Sequence, residues 1–117
     1  MPTDLKMDYI ELPAEDFNAV QKFYTATFGW KFQDYGPDYR AFADGKMDGG
    51  FYRSNSQSRT ANGAALLILF AADLEAVRDA VIKNGGLIAK DIFTFPGGRR
   101  FQFFDPNGNE LGVWSDQ

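Results

Sequence analysis

Two residue types that carry much of protein chemistry are missing from this chain, which has no histidine and no cysteine. Serine–histidine triads, histidine general bases, thiol nucleophiles, disulfides, iron–sulfur clusters and His- or Cys-ligated metals therefore cannot be built from it. The chemistry left is that of carboxylates, phenols and guanidinium groups. Tyr9 and Glu11 stand two residues apart in a β-like run at residues 6–12, so their side chains share one face of a strand. On an apolar face the Glu11 carboxyl pKa would rise, which makes Glu11 and Tyr9 the candidate acid–base residues. The plainer alternative is a pairing of Glu11 with Arg53 or another nearby base. Arg53, Arg99 and Arg100 are candidates for holding an anionic substituent. Arg99 and Arg100 are adjacent, so strand alternation turns only one of them to any given face.

The elements that must position these residues are written twice. Shifting the chain by 57 residues brings Ala14, Asp16, Ala19, Val20 and Gly29 onto Ala71, Asp73, Ala76, Val77 and Gly86. Asp16 and Asp73 stand where a helix N-cap belongs. Each is followed by an apolar stripe of helical period, Phe17, Val20 and Tyr24 in one copy and Leu74, Val77 and Val81 in the other. Gly29 and the pair Gly85-Gly86 provide the stops. A β-like run precedes each cap, at residues 6–12 and 64–70. Three short strands follow each helix, at 31–34, 39–43 and 47–53, then at 87–95, 99–104 and 110–114. Asp44-Gly45 and Asp105-Pro106-Asn107-Gly108 are hairpin turns. The pattern predicts one domain over residues 1–117, with module one at about 5–53, a linker at about 54–62 and module two at about 63–115. Each module is strand–helix–three strands, and the fold class is α+β.

Composition narrows the partners. The 117 residues carry 12 basic and 16 acidic side chains, net −4, which argues against nucleic acid. The longest apolar run, residues 64–72, is too short to cross a membrane. The N-terminus has no basic or apolar leader, so the expected location is cytoplasmic.

The two ends of the chain resemble a known superfamily. Tyr9-Ile10-Glu11-Leu12-Pro13-Ala14-Glu15-Asp16, then Phe23-Tyr24 and Phe28-Gly29-Trp30, are similar to the opening of vicinal oxygen chelate proteins. This group includes glyoxalase I, the bleomycin-resistance proteins and the extradiol dioxygenases. Phe95-Pro96-Gly97-Gly98-Arg99-Arg100-Phe101 and Phe104-Asp105-Pro106-Asn107-Gly108-Asn109-Glu110-Leu111 resemble its closing segment. The resemblance implies two βαβββ modules whose curved sheets form an open barrel around a cleft, commonly in a homodimer. It also implies a divalent metal held from four strands. The corresponding positions here are Tyr9, one of Gly49, Gly50 and Phe51, then Leu66, and Gly112. None carries the expected ligand, and leucine and glycine offer no side-chain donor. Glu110 lies two residues from the last position, and a lone carboxylate makes no site. No metal and no other cofactor is expected.

With the family pattern setting the orientation, Met7, Tyr9 and Glu11 face the cleft from the first strand. Leu66, Ile68 and Phe70 face it from the fifth, and Glu110, Gly112 and Trp114 from the last. The expected ligand-binding residues are Tyr9, Glu11, Phe51, Arg53, Leu66, Ile68, Arg100 and Trp114, lining one cavity, with Trp30 outside it. Aromatic residues make up 16% of the chain, and such a cleft suits a small aromatic or amphipathic molecule. The leading expectation is a metal-free binding protein. The alternatives are a metal-independent lyase or isomerase using Glu11 and Tyr9, and an interaction domain whose cleft is filled by its own side chains.

Overall fold

In the computed structural model, which describes residues 2–117, each module opens as the capping aspartates require. Asp16 accepts the Ala19 amide at 3.1 Å and starts helix α1 (Phe17–Phe28). Asp73 accepts the Ala76 amide at 3.1 Å and starts α2 (Leu74–Lys83). Gly29 ends α1 in the left-handed region, at φ 72°. At the end of α2, Asn84 is the cap and Gly85 takes the positive φ of 98°. Gly86 is needed for a different reason, since a Cβ there would press on Val81 and Phe23.

Strands β1 (Tyr9–Ala14), β2 (Lys31–Asp34), β3 (Tyr39–Ala43) and β4 (Asp48–Arg53) form one sheet in the order β1-β4-β3-β2. Strands β5 (Leu67–Phe70), β6 (Leu87–Phe95), β7 (Gly98–Phe104) and β8 (Glu110–Ser115) repeat it as β5-β8-β7-β6. The pairs β1–β4 and β5–β8 are parallel and the remaining pairs antiparallel. The result is two mixed four-stranded sheets with two helices, without closure into a barrel. β1 begins three residues later than its sequence run suggests, and β5 likewise, because pairing with β4 and β8 starts only at Tyr9 and Leu67. Met7 and Leu66 consequently lie outside the strands, and Met7 is exposed.

Both helices lie on the inner faces of the sheets and share one core. Leu12, Phe42 and Phe51 enter it from the first sheet, and Phe101, Phe103, Leu111 and Val113 from the second. Trp30 stacks between Tyr24, at 4.3 Å between ring centroids, and Phe42, at 4.5 Å. Phe23 and Phe28 of α1 reach across to Phe103, each at 5.8 Å.

The β7–β8 hairpin bonds the modules together. Tyr24, fully buried, donates its phenol to Asp105 at 2.8 Å. The same carboxylate accepts the backbone amides of Asn107 and Asn109 at 2.8 and 3.0 Å. Asn109 and Asn107 in turn donate to the Pro13 carbonyl at the end of β1, at 2.8 and 3.1 Å. The segment expected to be only a turn is therefore also the clamp between modules. Among the described residues no helix is long and apolar enough to cross a membrane.

Burial raises the Asp105 carboxyl pKa, and the bonds from Tyr24, Asn109 and Asn107 only partly oppose it. Burial and the adjacent Asp105 charge likewise raise the Tyr24 phenol. Because the folded carboxyl titrates above its unfolded counterpart, stability falls as pH rises from the ordinary aspartate value of about 4 through the raised one. Tyr24→Phe leaves the fold intact but costs about 1–3 kcal/mol, read from the urea midpoint. It also moves the Asp105 titration further up in ¹³C carboxyl NMR, since a bond favouring the charged form is lost. An unchanged midpoint would show that the modules do not depend on this bond.

Candidate functional site

With the helices inside, the outer faces of the two sheets carry the candidate residues. Residues paired across strands point to the same side, so each outer face can be read as rows. On the first sheet one row is Tyr9, Asp48, Ala43 and Lys31, and the next is Glu11, Gly50, Ala41 and Gln33. A third places Tyr39 opposite Tyr52. On the second sheet the rows are Ile68, Gly112, Gln102 and Lys90, then Phe70, Trp114, Arg100 and Phe93. Gly50 and Gly112 occupy matching places, as do Tyr39 and Arg100.

The two matching places are filled differently. Tyr39 reaches across its row so that its phenol lies over Gly50, and a Cβ built on that glycine would collide with it. The Tyr39 hydroxyl donates to the Glu11 carboxylate at 2.9 Å and lies 2.7 Å from the Tyr9 hydroxyl. Burial raises the Tyr39 phenol above the ordinary tyrosine range, and the bonds to Tyr9 and Glu11 add to this. Beside this chain is an open cavity of about 720 Å³ with Tyr9, Tyr39, Lys31 and Gln33 in its lining.

Over Gly112 no side chain closes in, and a Cβ there would find its nearest atoms at 3.5 Å. An open groove of about 440 Å³ runs beside it, lined by Ile68, Phe95, Gly97, Arg100 and Trp114. Trp114 packs edge-on to Phe70 at 5.1 Å and lies 6.3 Å from Phe95. The Glu110 carboxylate accepts the Thr60 amide and hydroxyl at 2.9 and 2.8 Å and the Gln102 amide at 2.6 Å. Burial works to raise its pKa, but the bonds from Thr60 and Gln102, with the charge of Arg59, outweigh it and hold the carboxyl below the ordinary value. Glu110 is thus spent on anchoring the turn before β5.

The expected site residues separate into three groups. Tyr9 and Glu11 come together, joined through Tyr39. Ile68, Arg100 and Trp114 come together in the second groove. Phe51, Arg53 and Leu66 join neither, so the single cavity expected from the sequence does not form within the chain. Phe51 follows Gly50 and so faces inward, fully buried against Phe42 at 5.3 Å and Tyr24 at 5.9 Å. Arg53, two residues further, shares that side, donates to the Pro37 and Glu15 carbonyls, and lies over the Phe17 ring at 5.0 Å. It stands opposite Ala14, three positions from the Glu11–Gly50 pair, so the Glu11–Arg53 ion pair is not made. Glu11 is also exposed on its strand rather than buried in an apolar cleft. Arg99 turns to α2 and pairs with Glu75, which leaves Arg100 as the outward arginine. Leu66, just before β5, is half-buried.

Tyr39, Phe93, Phe95 and Gln102 are the residues that sequence reasoning missed. The repeat held a signal for Tyr39: once β3 and β7 are aligned through their partners, it falls on Arg100.

The four positions where the resemblance implies metal ligands do not fit a metal. The Tyr9 phenol is engaged with Tyr39, and Gly50 has no room for a side chain under that ring. Leu66 and Gly112 have no donor atom. Among the described residues no three His, Cys, Asp or Glu side chains gather closely enough to hold an ion.

Comparison with known proteins agrees with this architecture. The sequence model of the Glyoxalase/Bleomycin resistance protein/Dioxygenase superfamily matches residues 6–113. A glyoxylase-like domain-containing protein from Didymella fabae is 35% identical, over 89% of this chain and 88% of its own length. A lactoylglutathione lyase from Agrobacterium tumefaciens superposes with a TM-score of 0.72 at 19% identity, covering 97% of this chain and 96% of its own. An antibiotic binding protein from a Streptomyces species does so with 0.70 at 19% identity, covering 97% and 98%. The two structural likenesses concern the fold.

The Tyr9–Tyr39–Glu11 chain has a titration signature. In ¹³Cζ tyrosine NMR the Tyr39 phenol titrates above the ordinary tyrosine range, and Glu11→Gln moves it down because a neighbouring negative charge is removed. A Tyr39 titration that Glu11→Gln leaves unmoved would break the link between the two.

Proposed function

Because the chain belongs to the Glyoxalase/Bleomycin resistance protein/Dioxygenase superfamily, we propose that it is a metal-independent member that binds a small aromatic or amphipathic molecule on its outer sheet faces. The observation that carries this reading is the Tyr39 phenol lying over Gly50. In that position it takes the volume that a side-chain ligand at Gly50 would need. The second module supports the reading from the opposite direction. There the corresponding positions Leu66 and Gly112 offer no donor, and the surface beside Gly112 carries Ile68, Phe70, Phe95 and Trp114, suited to an apolar ring.

Within this reading the Tyr9–Tyr39–Glu11 chain is a polar anchor for the ligand. Glu11 accepts from Tyr39, and when Tyr9 donates to Tyr39 its own oxygen turns lone pairs toward the cavity. A ligand hydroxyl or amide hydrogen is the natural complement. The structural likeness to an antibiotic binding protein is consistent with such a role for the fold.

We also propose a homodimer. β1 and β5 are edge strands, paired on one side only, and Tyr9, Ile68 and Phe70 are exposed on or beside them. A second copy would cover such edges and the apolar surface with them.

Two outcomes follow. After dialysis the protein carries no stoichiometric transition metal by elemental analysis, and Zn²⁺, Ni²⁺, Mn²⁺ and Fe²⁺ leave its melting temperature unchanged. About one metal per chain, or a clear rise in melting temperature, overturns the metal-independent reading. Sedimentation equilibrium at micromolar concentration gives twice the chain mass, whereas a mass near 13.1 kDa would remove the dimer.

A further inference from the structure

We infer that the groove of the second module is a site for a planar aromatic ligand bearing a carboxylate, with Arg100 as the carboxylate receptor. The inference rests on the small-molecule reading above and narrows it to one ligand class and one half of the molecule.

Arg100 stands in the middle of an aromatic row. It pairs across β7 with Phe93 on β6 and Trp114 on β8, and Trp114 pairs onward with Phe70 on β5. Its guanidinium lies 5.1 Å from the Phe93 ring centre, and the Lys90 ammonium lies 4.4 Å from the same ring. Arg100 is the cation of a groove whose other walls are Ile68, Phe95, Gly97 and Trp114.

The guanidinium is held but not satisfied. One Nη donates to the Gln102 side-chain oxygen at 3.2 Å. Gln102 cannot turn away, because its amide nitrogen donates to Glu110 at 2.6 Å and Glu110 is itself fixed by Thr60. The Nε of Arg100 is buried and has no hydrogen-bond partner. Among the described residues no carboxylate pairs with Arg100, although the adjacent Arg99 pairs with Glu75 and Arg78 with Asp91. In a chain of net charge −4 with 16 acidic side chains, a guanidinium whose Nη groups border the groove and meet no carboxylate suits an anionic partner.

The fork geometry of arginine favours a planar, two-oxygen acceptor over a point anion. The apolar walls favour a ring attached to it, which would lie against Trp114 and Ile68 while the carboxylate meets Arg100. Glu110, which reaches Arg100 only through Gln102, does not compete for the guanidinium, since its oxygens are taken by Thr60 and Gln102. The matching place in the first module holds Tyr39 over Gly50 instead of a guanidinium, and the cation lining that cavity is the ammonium of Lys31, so the two halves of the repeat differ in what they accept.

The test titrates the full chain by calorimetry with 2-naphthoate and with its neutral analogue 2-naphthalenemethanol, following both indole ¹⁵N resonances. Naphthoate is expected to bind about tenfold or more tightly than the alcohol, the size of a charge-assisted hydrogen bond. It should shift the Trp114 resonance and leave Trp30, stacked in the core, unmoved. Raising the salt concentration should weaken naphthoate and not the alcohol. Arg100→Gln should erase the preference, bringing the affinities for the two probes level. The salt comparison needs no variant, so it stands even where Arg100→Gln is unstable. Equal affinities in the parent protein, a preference that survives Arg100→Gln, or binding that leaves Trp114 unmoved overturns the inference. If the alcohol binds with a Trp114 shift but naphthoate gains nothing, the small-molecule reading stands without its carboxylate. If neither probe binds, both fall.

Discussion

The bond from the buried Tyr24 phenol to Asp105 ties the first helix to the hairpin of the second module, and the placement of the outer faces follows from it. A phenol and a carboxylate taken out of water require partners, and here each is the other's partner. Asn107 and Asn109 extend the clamp to the end of β1, so the hairpin is held at both the helix and the strand. With that junction closed, α1 has its own sheet on one side and Phe103 of the other module across from it. The two inner faces become one core, and the two opposite faces are left to solvent and to ligands.

The same constraint decides which residues are available for function. Phe51 and Arg53 are on the inner side of β4 and serve packing and the entry to α1. Gly49, next to Gly50, has to be glycine because a side chain there would strike the Ile10 carbonyl and the Phe42 ring. What remains outside is a polar chain of Tyr9, Tyr39 and Glu11 in one module and an aromatic row with an unpaired arginine in the other. The two units share one backbone plan and differ widely in their outer-face side chains, with one matching pair of particular consequence. Tyr39 closes over the glycine of its sheet, and Arg100 stands beside the glycine of its own.

Much of the fold was legible in the sequence because it is local. Asp16 and Asp73 cap helices through bonds three residues away, apolar stripes of helical period mark the buried faces, and Gly29 and Gly45 sit at positive φ where turns demand it. The repeat, the resemblance and the absence of histidine and cysteine together indicated the family and the poverty of metal ligands. The site was only half legible. Ile68 and Trp114 could be placed on one face because β5 and β8 alternate regularly, whereas the choice between Arg99 and Arg100 waited for the pairing of Arg99 with Glu75. Phe51 was misplaced because the resemblance left three adjacent positions of β4 open, and a shift of one residue on a strand exchanges inside for outside.

The sequence by itself determined the two modules, their helix caps and turns, and the absence of imidazole and thiolate chemistry, all of which depend on residue identity and near neighbours. Only the tertiary structure decided that Tyr39 lies over Gly50, that Glu11 meets a phenol rather than Arg53, and that Arg99 takes Glu75 and leaves Arg100 without an acid. Those outcomes depend on the register of β3 against β4 and of β7 against β8, and on which sheet face the helices occupy. Register is fixed by the sum of packing across a whole sheet, so no short window of sequence contains it.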